Sequence, residues 1–99
     1  MTDPVLALLV KFKSRLPMAE VRDIIESRAD DFRALTGLRQ KYYLEDSASG
    51  EIAGLYLWES AEALDEYRQS RLRATIAEAY QAEGEPEVRL FNIVKILRE

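Results

Sequence analysis

Three segments of this chain are apolar on both of their alternating faces, and that surplus limits what it can fold into. Val5-Leu6-Ala7-Leu8-Leu9-Val10 is an unbroken apolar run, followed by the alternation Lys11-Phe12-Lys13. Successive side chains of a strand point to opposite faces. Leu6, Leu8, Val10 and Phe12 therefore oppose Val5, Ala7 and Leu9. Leu55 and Leu57 oppose Tyr56 and Trp58, while Val88, Leu90, Val94 and Ile96 oppose Phe91, Ile93 and Leu97. Such strands need cover on both sides.

Helical spacing supplies one covering layer. Between Met18 and Leu35, the apolar residues Val21, Ile24, Ile25, Ala29, Phe32 and Leu35 recur at intervals of three and four. Acids and Arg33 fall between them. Pro17 suits the first turn, where its missing N–H costs nothing, and Gly37 suits the C-terminal stop. A second helix starts after Ser60, whose hydroxyl can accept from first-turn N–H groups. Leu64, Tyr67, Leu72, Ile76 and Ala79 mark its inner stripe to about Ala82, with room for a bend near Ser70. Glu83-Gly84-Glu85-Pro86 should end it. Leu38 to Glu45 and Glu51 to Glu59 read as a hairpin around Asp46-Ser47-Ala48-Ser49-Gly50, and Glu87 to Arg98 as the last strand.

The resulting order is βαββαβ. The standard solution is an α+β, ferredoxin-like fold over residues 1–99. It has a four-stranded antiparallel sheet in order 4-1-3-2, with both helices on one face. The second face then stays apolar and bare. Each well-buried Leu, Val or Ile contributes roughly 1.5–3 kcal/mol. A wet row of them would forfeit much of the ~5–15 kcal/mol a domain possesses. A homodimer joined through the sheet face is the simplest cover, because a twofold interface reuses one patch. A different protein partner is the alternative.

Composition narrows the chemistry. The net charge is −4 and the Lys and Arg residues are scattered among acids, which disfavours nucleic acid. The chain has no His and no Cys. Thiolate metal sites, Cys nucleophiles, histidine bases and a serine–histidine triad are excluded. No clustered carboxylate motif suggests a metal. The opening residues carry no basic stretch, and Val5–Val10 is too short for a signal core or a membrane span. A cytoplasmic protein without membrane association is expected.

The hairpin is richest in chemistry. An odd-summed register would place Tyr43 across from Gly54, Lys41 near Tyr56 and Arg39 near Trp58. Two cations and three aromatics would share one surface, with Gly54 leaving a space above the sheet. Such a surface could hold a planar organic acid or phenol, aromatic rings walling it and a cation orienting its oxygen. The same residues also fit a purely structural role, since Tyr and Trp favour strands and a cationic stem often covers a ring. Tyr67 projects from the second helix toward the sheet. Its hydroxyl reaches either a pocket or a backbone partner. Asn92 interrupts an apolar row and would contact a ligand or satisfy an interface carbonyl.

The runs Gly37-Leu38-Arg39-Gln40-Lys41-Tyr42-Tyr43-Leu44-Glu45 and Gly54-Leu55-Tyr56-Leu57-Trp58-Glu59-Ser60, with Ala63 and Tyr67, resemble the YdhR-type putative monooxygenases of the dimeric α-β barrel superfamily. The family's Gly, Lys and following aromatic correspond to Gly37, Lys41 and Tyr43, where Tyr replaces the commoner Trp. A His found in the second helix of some relatives has no counterpart near Gln69 or Ser70. The resemblance implies oxygenation of an aromatic or quinol-like molecule without a cofactor, in a pocket between sheet and helices. The substrate's own carbanion or phenolate would reduce oxygen. Lys41 or Arg39 would stabilise the oxyanion. Tyr43, Tyr56 and Trp58 would wall the ring.

Three functions remain open on the sequence: a cofactor-free monooxygenase, a non-catalytic binder of an aromatic metabolite, and a structural or regulatory dimer. The last predicts Tyr43, Tyr56 and Trp58 tightly packed with no cavity beside them.

Overall fold

A computed structural model describes residues 2–98. In chain order the elements are β1 (Leu6–Ser14), α1 (Met18–Arg33), β2 (Leu38–Glu45), β3 (Ile52–Trp58), α2 (Ala61–Arg68), α3 (Arg71–Ala74), α4 (Ile76–Ala79) and β4 (Ala82–Asn92). The strands form one antiparallel sheet in order β2-β3-β1-β4, the expected 4-1-3-2 read from the other edge. The helices lie against one face.

Each boundary has a local cause. Pro17 caps α1, with the Glu20 and Val21 amides donating to its carbonyl at 3.0 and 3.1 Å. Glu20 in the first turn and Arg33 in the last suit the helix dipole. Gly37 makes the turn into β2 at φ +82°, a region that L side chains rarely adopt. The Ser60 hydroxyl accepts from the Ala63 amide at 3.1 Å and starts α2.

The second helix is in three pieces rather than one. Ser70 is extended (φ −81°, ψ 156°), and its hydroxyl accepts from the Arg73 amide to start a new short turn. A serine hydroxyl that competes for backbone partners interrupts a helix in this way. The inner stripe survives the breaks: Leu64, Tyr67 and Ile76 are buried. From α1, the Arg28 Nη2 donates to the Leu72 carbonyl at 2.8 Å and to the Thr75 hydroxyl at 3.1 Å. It ties the broken segment to the first helix.

The last strand departs from expectation at both ends. It begins at Ala82 rather than Glu87, so Gly84 and Pro86 lie inside it. An edge strand tolerates both, because Pro86 has no N–H to offer a neighbour and none is needed on the open side. The register slips there: Lys11 pairs with Glu87 but Lys13 with Glu83. The strand stops at Asn92, where β1 ends as a partner. The Ile93 amide makes one more bond, to the Val5 carbonyl at 2.9 Å. Val94 and Leu97, expected to be strand residues, are exposed.

The core fills the space between helices and sheet. Leu8, Val10 and Phe12 of β1 meet Ile52, Tyr56 and Trp58 of β3, roofed by Val21, Phe32, Leu64, Tyr67, Ile76 and Tyr80. On the opposite face lie Ala7, Leu9, Leu55, Leu57, Tyr42, Leu44 and Phe91, by their pairing. Among the described residues, no helix is long and apolar enough to cross a membrane.

Candidate functional site

The hairpin pairs as an odd-summed register requires. Lys41 lies across from Tyr56, and Tyr43 across from Gly54. All four belong to the face under the helices. Gly54 makes this arrangement possible. A Cβ there would sit 3.0 Å from Tyr56 Cε1 and 3.3 Å from Lys41 Cε. With hydrogen in its place, the lysine stem and the tyrosine ring occupy that space.

The Lys41 Nζ ends inside an aromatic cage. It lies 3.3 Å from the Phe32 ring centroid, 4.3 Å from that of Tyr43 and 4.4 Å from that of Tyr56. The electron-rich ring faces attract the ammonium. Among the described residues no carboxylate pairs with it. Burial, reinforced by the Arg28 guanidinium, lowers its pKa to about 7. At neutral pH this lysine therefore has a substantial neutral fraction, which an ordinary lysine lacks. Burial raises the pKa of the neighbouring Tyr43.

Behind the cage the aromatics are packed on one another. Tyr56 stacks on Trp58 at 6.3 Å between centroids, and Tyr67 lies 5.4 Å from Tyr56 and 5.2 Å from Trp58. The Tyr67 hydroxyl donates to the Tyr56 hydroxyl at 3.1 Å. Burial pushes Tyr67 up to about 12 and raises Tyr56 further, so both stay phenols. Trp58 is wholly buried, and its indole N–H has no partner. Tyr56, Trp58 and Tyr67 are thus core residues that back the site.

Two spaces meet at Lys41 and Tyr43. A cleft of about 330 Å³ runs between the end of α1 and β2, lined by Phe32, Arg33, Leu38, Arg39, Lys41 and Tyr43 among others. Its charged lining is wholly cationic. That volume is at the low end for small-molecule sites. A recess of about 20 Å³ lies on the core side and shares Phe32, Lys41 and Tyr43 with the cleft. The recess is too small for an aromatic ring, so a ring-bearing ligand fits only the cleft.

Two expected residues are placed differently: Arg39 lines the cleft but not opposite Trp58, and Asn92 lies outside it. Arg39 does not face Trp58. The pairing shifts between Leu38 and Gln40, which leaves Arg39 as an inserted residue and sets Leu38 opposite Trp58. Arg39 Nη1 instead lies 3.8 Å from Glu59 Oε2, at the cleft rim. Asn92 is exposed at the end of the edge strand β4, with β1 and β3 between it and β2. It is neither a buried amide nor part of this site. Phe32 and Arg28 have no role in the sequence reading of the site. Phe32 is visible there only as one apolar position on α1, and its seat over Lys41 comes from the crossover of that helix above the hairpin.

Among the described residues, no cluster of His, Cys, Asp or Glu could hold a metal ion. The sheet is thus roofed on one side, with Lys41 between the layers. Residues 7–97 match the family model described as Putative mono-oxygenase ydhR, and the chain belongs to that family. SnoaB from Streptomyces nogalater, described as a cofactor-independent oxygenase, is similar at a TM-score of 0.76 and 16% identity over 97% of this chain and 99% of that one. Rv0793 from Mycobacterium tuberculosis is similar at 0.74 and 21%, over 94% and 98%. A putative antibiotic biosynthesis monooxygenase from Caulobacter crescentus CB15 is similar at 0.77 and 15%, over 95% and 93%. At these identities the likeness is one of fold. No curated protein matches the chain.

Proposed function

We propose that this protein is a cofactor-independent monooxygenase of an aromatic or quinol-like small molecule, with Lys41 as its catalytic base. The observation that carries this reading is the Lys41 amine, near-neutral in pKa, caged by three rings where the cleft meets the core. A phenol enters the cleft ring-first against Phe32 and Tyr43. The neutral amine takes an acidic proton, and the ammonium so formed holds the resulting anion. That anion passes an electron to dioxygen, and the two recombine to form a carbon–oxygen bond. Cleavage of the O–O bond, with loss of the remaining hydrogen from that carbon, leaves a carbonyl. For a phenol bearing an activated CH₂ group the balance is CH₂ plus O₂ giving C=O plus H₂O. All electrons come from the substrate. Arg33 and Arg39 flank the cleft mouth, each beside a carboxylate, Asp30 at 2.7 Å and Glu59 at 3.8 Å.

The test is oxygen uptake with a panel of reduced quinols and polyketide-like phenols. Uptake that Lys41→Ala abolishes supports the reading. No uptake across the panel, with the intact protein folded, refutes it. The same cleft also fits a binder without turnover. In that case a phenolate would quench or shift Trp58 fluorescence while no oxygen is consumed.

The working unit in this reading is a homodimer joined through the sheet. Tyr42, Leu44 and Phe91 on the bare face are 50%, 45% and 42% exposed. With Leu9, Leu55 and Leu57 they form the apolar patch that such an interface requires.

A further inference from the structure

We propose that the recess of about 20 Å³ on the core side of Lys41 is a dioxygen site, separate from the cleft that takes the organic substrate. The inference rests on the oxygenase reading and adds where the second substrate waits. The recess is walled by Val10, Phe12, Ile52, Ile76 and Tyr80, with Lys41 on the cleft side, and its surface is predominantly apolar. A space of this size holds one small molecule. Water there needs two to four polar partners, whereas apolar cavities stay dry and take up apolar gases. Dioxygen is apolar and two atoms long, and it needs no hydrogen bond.

The placement also suits the chemistry. Phe32, Lys41 and Tyr43 line both spaces. A gas molecule in the recess and a ring in the cleft would face each other across the lysine nitrogen. Superoxide formed there would meet the ammonium that the substrate's proton creates. Electron transfer then needs no diffusion of either partner, and the cation stabilises the charge as it appears.

The decisive measurement uses dioxygen's own paramagnetism. Methyl resonances of the intact protein are recorded without oxygen and under oxygen pressure. Leu8 and Leu64 serve as controls, since both are as deeply buried but lie outside the recess. The methyls of Val10, Ile52 and Ile76 should relax several-fold faster under oxygen than those controls. Equal relaxation overturns the proposal. Val10→Ile and Ile76→Phe fill the recess from opposite walls, and either one that folds serves. Filling should remove the enhancement and raise the KM for dioxygen about tenfold, leaving the KM for the phenol unchanged. Selective relaxation without oxygen consumption would uphold the gas site and refute the oxygenase. Consumption without selective relaxation would do the reverse.

Discussion

Lys41 Nζ lies 3.3 Å from the centre of the Phe32 ring, so a side chain of β2 is held by the last turn of α1. The contact seals sheet to helix with a cation, where most cores use a hydrocarbon. Its consequence is a conflict between packing and chemistry, and mutation can separate the two.

Lys41→Met keeps the length of the stem and removes the charge. Oxygen consumption should fall by about 10²–10⁴-fold, the range of a lost general base. Thermal stability should not fall, because replacing an unpaired buried charge by an apolar group removes a desolvation cost. Calorimetry and an oxygen electrode give the two readouts. A variant that melts early would instead make Lys41 a structural element.

Stability should depend on alkaline pH in two opposite limbs. Lys41 titrates near 10.5 when unfolded and near 7 when folded. Between those values the unfolded chain binds the extra proton, so stability rises with pH. Below about 7 both states are protonated and the full cost of the buried cation is present. Tyr67 and Tyr80 are pushed from 10.0 up to about 12. Above pH 10 the unfolded chain loses their protons first, and stability falls. Urea midpoints measured across this range should peak near pH 10. Lys41→Met should flatten the rising limb alone.

Gly54→Ala tests the space that admits the lysine. The added methyl must displace Lys41 Cε or the Tyr56 ring. The lysine stem is the more flexible of the two, so the amine should move toward solvent and its pKa should rise. Titration of the Lys41 ε-CH₂ signals by NMR reads this directly. The overpacking itself should cost roughly 1–3 kcal/mol in denaturant unfolding. An unchanged titration would show that Gly54 does not set the cage.

Gly37→Ala should destabilise by about 2 kcal/mol or more without touching Lys41. The residue has a positive φ, and a Cβ there would run into the Ala63 Cβ. Chemical denaturation checks it, and the Lys41 titration should be unmoved.

Leu55→Arg, on the sheet face away from the helices, should split the proposed dimer into folded monomers. Sedimentation of variant and parent reads this. A parent that sediments as a monomer at high concentration removes the dimer altogether.

Much of this molecule was legible in the sequence, for reasons specific to each part. β1 and β3 carry short apolar runs bounded by turn residues, and α1 carries one clean apolar stripe between Pro17 and Gly37. Together they fix sheet order and helix layer. The pairing of Lys41 with Tyr56 and Tyr43 with Gly54 is one of the registers the hairpin allows, and hydrophobic alternation alone does not choose among them. Arg39 lines the cleft but not opposite Trp58, because an inserted residue leaves no mark in hydrophobic alternation. The start of β4 was hidden because Gly84 and Pro86 signal a stop anywhere except at an edge. The apolar row around Asn92 suggests burial that the strand does not provide. That row lies on the edge strand, and Val88 and Leu90 beside it are half-exposed. Phe32 became part of the site only through tertiary crossover, which no local pattern encodes.

The broken second helix has a mechanical consequence. α3 and α4 span only four residues each, too short to sustain themselves without their neighbours. Ile76 and Tyr80, which close one side of the recess, hang from this stretch. The amides of 71–81 should thus be the first to exchange with deuterium while α1 stays protected. A gas-sized opening would then come from the unravelling of one turn, with no hinge and no moving loop.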